Sequence, residues 1–257
     1  CDGIDDDCDG AVDEDYVPRS CSSGEPGICA AGTSRCMAGA ELCDADRLPE
    51  TELCFDGLDN DCDGRADYPE DGDCEPVSRR LTIRAESDDV EERLGSGGAV
   101  LLKSADLHLV EDDVSLLAVA LRFGGVDVPP GSTILSASIQ FVADGETSGP
   151  AQFLIEGEAS DDAAPFTKLA GNVSARARTV AKVSWAPPAW TNGEAGPPER
   201  TPDLTAIVQE IVDRPGWRSG GSLAFVVSGD GYRTAHAYRG VPERAARLEL
   251  DYVPPAL

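Results

Sequence analysis

All nine cysteines of this 257-residue chain lie in residues 1–74, and the remaining 183 residues have none. No other feature limits the fold so sharply. Cysteine at this density marks a disulfide scaffold, a polypeptide stapled together because it lacks the apolar residues for a large core. Charge divides at the same place. Residues 1–77 hold 23 Asp and Glu against four Arg and no Lys, a net of −19, while residues 78–257 carry 25 acids and 17 bases, a net of −8. The sequence therefore predicts two domains, an acidic Cys-rich module over 1–77 and a second domain over 78–257.

The charge excludes some functions. Binding a phosphate backbone needs Lys and Arg, so nucleic acid is not an expected partner. Anionic membrane surfaces are disfavoured for the same reason, and no apolar run is long enough to span a bilayer. Cations are favoured. The cysteines point to an oxidising compartment and so to a secreted, extracellular or cell-surface protein. The chain opens on Cys1 rather than Met, which reads as a processed or truncated product from which a secretory signal has gone.

Residues 54–74 read CFDGLDNDCDGRADYPEDGDC, with nine Asp, Asn or Glu among 21 residues. An EF-hand-type loop places oxygen ligands at positions 1, 3, 5, 9 and 12, a glycine at 6 and a backbone carbonyl at 7. With Asp59 as position 1, the ligands are Asp61, Asp63, the Arg65 carbonyl, Asp67 and Glu70, and Gly64 falls at position 6. With Asp5 as position 1, the first stretch supplies Asp7, Asp9, Gly10, the Ala11 carbonyl and Asp13, but position 12 is Tyr16. Carboxylates packed this closely repel one another unless a divalent cation neutralises them. All-oxygen donors with no His nearby suit Ca²⁺. A solvated acidic run is the bland alternative, but the D-x-D-x-D-G-x-x-D spacing occurs twice.

Cysteines 1, 8, 21, 29, 36, 43, 54, 62 and 74 brace these loops. Each disulfide is worth on the order of 2–4 kcal/mol. The segment between the loops is Gly- and Ser-rich, which reads as a small irregular module, and the lack of any C-x-x-C pair argues against a thiolate metal site. The pairing is left open. Nine is odd, so one thiol is free, joins another chain, or pairs with a missing upstream piece. Cys1, being terminal, is the expected odd one, and an acylated lipoprotein cysteine is its alternative role.

Residues 52–67, ELCFDGLDNDCDGRAD, fit the pattern E-x-C-x-D-G-x-D-N-D-C-D-G-x-x-D. In this the chain resembles the metal-binding repeats of secreted and surface bacterial proteins, over residues 1–74. The loops look like the calcium loops of thrombospondin type 3 repeats. The resemblance implies an extracellular tandem array.

Residues 80–253 alternate with period two. LAVALRF puts Leu117, Val119, Leu121 and Phe123 on one face, and ASIQFVA does the same with Ala137, Ile139, Phe141 and Ala143. Similar patterns follow in FLIEGEA, TVAKVSW, SLAFVVS and ARLELDYV. The fold class expected is mainly β, a jelly-roll-like antiparallel sandwich. One covering helix is expected in TPDLTAIVQEIVDRPGW, with Thr201 as N-cap, Pro202 at the first position and an apolar stripe of Leu204, Ile207, Val208, Ile211 and Val212. The order and texture of SADLHLVEDD, ALRFGGVDVPPGSTILSASIQF and the helix segment resemble a DNRLRE-type, carbohydrate-binding-like jelly-roll module.

That resemblance implies a polysaccharide as one partner. Trp190, in the loop APPAWTNG, is the expected exposed platform, with Trp185 and Trp217 in the core. Ser87-Asp88-Asp89 and Glu111-Asp112-Asp113 are further acidic clusters, either turns or calcium ligands. Neither His108 nor His236 sits in a catalytic motif, and no phosphate loop or nucleophile elbow is present, so an enzyme is not expected. The function expected is a calcium-binding structural subunit of an extracellular fibre or surface assembly. Its partners are its own copies, joined by an intermolecular disulfide or by calcium-braced docking.

Overall fold

The structure, a computed structural model, describes residues 1–7, 9–95 and 97–255. The chain folds as two units, Cys1–Glu75 and Pro76–Pro254.

In the first unit, β1 (Ser20–Ser22), β2 (Ala31–Met37) and β3 (Ala40–Ala45) form an antiparallel sheet in that order. An irregular segment was expected here. The sheet is inconspicuous in sequence because the inward positions of β2 are Gly32, Ser34 and the half-buried Cys36, with no large apolar side chain. Covalent bonds replace apolar burial. Cys21–Cys43 joins β1 to β3 across the middle strand, and it passes over Gly32, where an added Cβ would lie 2.8 Å from the Cys43 sulfur. Cys1–Cys36 ties the first residue to β2, Cys29–Cys62 links the segment before β2 to the second acidic loop, and Cys54–Cys74 closes that loop. The expectation that Cys1 is the odd cysteine is thus corrected, since its sulfur is paired with Cys36. Cys8 lies outside the described residues. Four disulfides fit an oxidising environment.

The second unit contains β4 (Val77–Thr82), β5 (Asp89–Arg93), β6 (Val100–Leu101), β7 (Asp106–Leu109), β8 (Leu117–Val126), β9 (Thr133–Gln140), β10 (Gln152–Glu158) and β11 (Arg178–Trp185). After α1 (Thr205–Val212) come β12 (Gly221–Asp230), β13 (Arg233–His236) and β14 (Arg247–Val253). A six-stranded sheet runs β11-β10-β12-β8-β5-β6, a three-stranded one β4-β14-β9, and β13 pairs with β7. Every pairing is antiparallel. The unit is a β-sandwich with one α-helix among the described residues.

Period-two burial explains the sandwich. Leu117, Val119, Leu121 and Phe123 of β8 and Leu223, Phe225 and Val227 of β12 enter one core with Ile139 of β9 and Leu248 and Leu250 of β14. The alternate residues Ala118, Ala120, Ala224 and Val226 face the opposite way and are also buried, beneath Ala163, Phe166 and Val173. This explains why β8 and β12 read as nearly continuous apolar runs: both faces of the sheet are covered.

The helix starts later than expected. Thr201 does not cap it. The Thr201 hydroxyl accepts from the Ile139 N–H at 3.0 Å, and the Leu204 N–H donates to the Ala137 carbonyl at 2.8 Å, so residues 201–204 run along β9. Pairing with a strand edge prevails over the local capping preference. Asp203 takes the place of the cap, accepting from the Thr205 N–H and hydroxyl. Ile207, Val208, Ile211 and Val212 are buried as the stripe requires.

Candidate metal centre

The two acidic loops are built alike, offset by 54 residues. In the first, Asp5 accepts from the N–H groups of Asp9 and Gly10 at 3.2 and 3.0 Å. In the second, Asp59 accepts from Asp63 and Gly64 at 3.1 and 3.0 Å. Asp7 and Asp61 each accept from the residue two ahead at 3.1 Å. Asp9 and Asp63 each accept at 2.8 Å from Ala11 and Arg65, the residues whose carbonyls the sequence assigned as ligands. Gly10 and Gly64 adopt φ of 97° and 95°, a left-handed conformation that makes the turn possible and that a side chain would strain.

The ninth-position acids close each loop. Asp13 accepts from the Asp2 and Gly3 N–H groups, and Asp67 from those of Asp56 and Gly57. The Asp2 N–H holds the Asp13 carboxyl below its usual range. One oxygen each of Asp5, Asp7 and Asp9 lies within 4.8 Å of the others, which suits Ca–O bonds of about 2.4 Å around one ion.

The loops differ at their closing ends. Glu70, assigned to the twelfth slot, is exposed, and Asp71 turns inward instead. The N–H groups of both donate to the Asp67 carbonyl, a helical turn that carries the chain one residue past the expected register. Asp71 meets Glu52, a residue before the loop that the spacing argument omitted. One oxygen from each of Glu52, Asp61 and Asp71 lies within 4.8 Å of the other two. Burial pushes the Glu52 carboxyl up, as do the negative charges of Asp71 and Asp61, against the lowering effect of two N–H donors. Burial also raises Asp61, with Asp63, Asp71 and Asp59 adding to it. In the first loop Val17 stands where Asp71 would, and the neighbouring acid group, Asp7, Glu14 and Asp15, is exposed. The repeat pattern itself held the missed signal, because its leading Glu is Glu52.

Several of the other sequence candidates are engaged by the protein's own groups. Asp88 pairs with Arg122 at 2.8 Å, and Asp89 accepts from the Tyr238 N–H. Asp112 accepts from the Val114 and Ser115 N–H groups, a turn. Trp190, expected as an exposed platform, is 1 % exposed. Its indole stacks obliquely against Phe141 and Trp185, and its N–H donates to the Pro198 carbonyl at 2.8 Å. The loop folds back over the core, and the assignment of a glycan contact to Trp190 is corrected. Trp185 and Trp217 are buried as well.

Two segments, residues 1–14 and 44–68, match a protein-family model named Cu-binding MopE and described as "Putative metal-binding motif". The match covers both D-x-D-x-D-G stretches and supports a metal-binding segment. No curated protein matches the chain. Among solved structures, the VP2 subviral particle of infectious bursal disease virus is similar at 14% identity with a TM-score of 0.23, covering 88% of this chain and 47% of that one. A D431N mutant VP2 protein of the same virus, from derived T=1 particles, is similar at 13% identity and a TM-score of 0.18, with 88% and 45% covered. The chain thus spans about half the length of these proteins.

Proposed function

We propose that this protein is a secreted calcium-binding structural protein, a subunit of an extracellular fibre or surface assembly, and not an enzyme. The observation that carries this reading is the duplicated loop. Two segments 54 residues apart fold their carboxylates over the same set of backbone N–H donors. Carboxylate oxygens converge in each, those of Asp5, Asp7 and Asp9 in the first and of Asp61 with Glu52 and Asp71 in the second. The donors favour calcium over copper. They are carboxylates, both histidines lie beyond residue 77, and eight of the nine cysteine sulfurs are held in disulfides. In this reading calcium neutralises the repulsion within a unit that has almost no apolar core, and binding free energy becomes folding free energy. Affinity belongs to the extracellular class, Kd about 10⁻⁴–10⁻³ M.

Assembly proceeds through copies of the chain, by calcium-braced docking or an intermolecular disulfide. Particle size and non-reducing mass with and without EDTA test it. Higher species that dissolve on chelation or reduction support the reading. A monomer at millimolar calcium under oxidising conditions overturns the assembly part, and titration with Ca²⁺ and Cu²⁺ decides the metal separately.

A second reading, a carbohydrate-binding module, draws on a different residue from the one the sequence singled out. Tyr232 is exposed in an open cleft of the sandwich lined by His108, Glu111, Asp112, Asp113 and Thr234. An aromatic face beside carboxylates suits a sugar. Retention on polysaccharide columns that is lost in Tyr232→Ala supports it, and absence of retention by the native protein sinks it.

A further inference from the structure

We propose that Glu52, Asp61 and Asp71 form a divalent-cation site at the second acidic loop, one that depends on two residues outside the loop's linear ligand series. The inference rests on the metal-binding reading above and deepens it.

Acidic residues cluster on many surfaces without holding an ion. What separates this group is burial without compensation. Glu52 is 5 % exposed and Asp71 is 3 % exposed. Glu52 Oε2 accepts from the Asn60 and Asp61 N–H groups at 2.7 and 3.2 Å, whereas Oε1 is buried and has no hydrogen-bond partner. Asp71 Oδ1 accepts from the Asp73 N–H at 2.8 Å, whereas Oδ2 is buried and has none. Two carboxylates therefore each satisfy one oxygen with backbone and leave the other bare. A buried carboxylate oxygen without a donor is among the least favourable arrangements a protein can hold. Here two such residues belong to one group of three carboxylates whose ligand oxygens lie within 4.8 Å of one another. That spacing is about twice a Ca–O bond.

Glu52 also lies within reach of Asp56 and Asp67. That alternative group is less apt. Asp56 Oδ1 already accepts from the Leu58 N–H, and both oxygens of Asp67 are taken by backbone donors. Asp71 alone adds a second bare buried oxygen. The covalent frame fixes the approach, because Cys54–Cys74 and Cys29–Cys62 anchor the chain next to Glu52, Asp71 and Asp61. All donors are carboxylate oxygens, so the occupant is a hard divalent cation, with calcium the expected one.

The test is calcium titration, with CaCl₂ alone, of the intact chain and of Glu52→Gln and Asp71→Asn, alongside Asp59→Asn and Asp63→Asn in the loop series. Glu52→Gln keeps an acceptor for Asn60 and Asp61 and sets an amide NH₂ toward the other carboxylates. Without calcium it should melt higher than the native protein. In calcium it should bind about tenfold more weakly or with one equivalent fewer, and lose most of the calcium-induced rise in melting temperature. Asp71→Asn should behave alike. Disulfide mapping confirms that each variant keeps the four bridges. If both variants bind as the native protein does while Asp59→Asn and Asp63→Asn do not, the inference fails and the loop reading stands. Should the native chain bind no divalent cation, the metal reading itself falls. If Glu52→Gln raises the melting temperature and leaves calcium binding intact, a shared proton holds the cluster and the inference is overturned.

Discussion

In the sandwich, the buried Glu92 accepts from the N–H groups of Val173 and Ser174 and from the Ser174 hydroxyl, and the buried Glu91 accepts from Ser104 and from the N–H and ring of His108. Arg233, 1 % exposed, donates to the carbonyls of Gly149, Pro187, Pro188 and Tyr232. In the acidic unit, Glu52 and Asp71 are just as buried, yet each leaves one oxygen without a donor. The sandwich has strands and loops to spare, and it answers the buried Glu91, Glu92 and Arg233 with its own backbone and side chains. The acidic unit has few apolar residues, and Glu52 and Asp71 each keep one buried oxygen that no protein donor reaches. The comparison teaches that burial alone does not mark a site. Two buried carboxylates in one cluster, each with an oxygen left without a donor, do.

The largest effects should separate the units. Trp190→Ala removes a side chain packed on Phe141 and Trp185 and should destabilise the sandwich by about 3–5 kcal/mol, with calcium affinity unchanged. Denaturant unfolding and calcium titration of one sample check both, and a parallel fall in affinity would break the separation. Replacing Cys29 and Cys62 together by Ser should destabilise the acidic unit by about 2–4 kcal/mol, and should leave the sandwich transition where it is.

The next effect sharpens the electrostatic side of the comparison. Burial, with Asp88 and Glu91 nearby, pushes the Asp89 carboxyl from 3.8 up to about 7. An acid raised on folding favours the folded state only while protonated. Its contribution is full at about pH 4 and is lost as the pH rises through 7. His108 is raised too, chiefly by its hydrogen bond to Glu91, so its contribution is full below the ordinary histidine value and also declines as the pH rises through its folded value. Asp89→Asn should therefore match the native protein near pH 4 and exceed it by on the order of a few kcal/mol at pH 8. A constant difference across that range would refute the assignment. The smallest effect is reserved for Glu70→Gln. That side chain is exposed, and calcium affinity should change by less than about twofold, far less than for Asp71→Asn.

Most of the sandwich was legible because its strands bury alternate residues, and the eye follows Leu117, Val119, Leu121 and Phe123 without help. The sheet β1-β2-β3 was not legible, since a strand whose inner face is Gly32, Ser34 and Cys36 carries no hydrophobic period. Loop spacing located Asp59, Asp61 and Asp63 but not Asp71, because the turn at Asp67 advances the register by one. Trp190 misled for a related reason: a loop rich in Pro and Gly reads as exposed, yet its one large ring packs on Phe141 and Trp185.

The four disulfides have a mechanical consequence. From Cys1 to Val77, the shortest covalent route through the sulfurs of Cys1–Cys36, Cys29–Cys62 and Cys54–Cys74 crosses fewer than about twenty residues, or roughly 80 Å when taut, against roughly 270 Å for the reduced chain. Tension along the backbone meets a hard stop before the first loop, bypassed by Cys1–Cys36, can be drawn out. Much of Cys54–Cys74 hangs off the line of force, as a ring on a taut cord. A molecule stretched between anchors would keep the first loop's ligands off the line of force, and single-molecule pulling before and after reduction would read the difference directly as contour length.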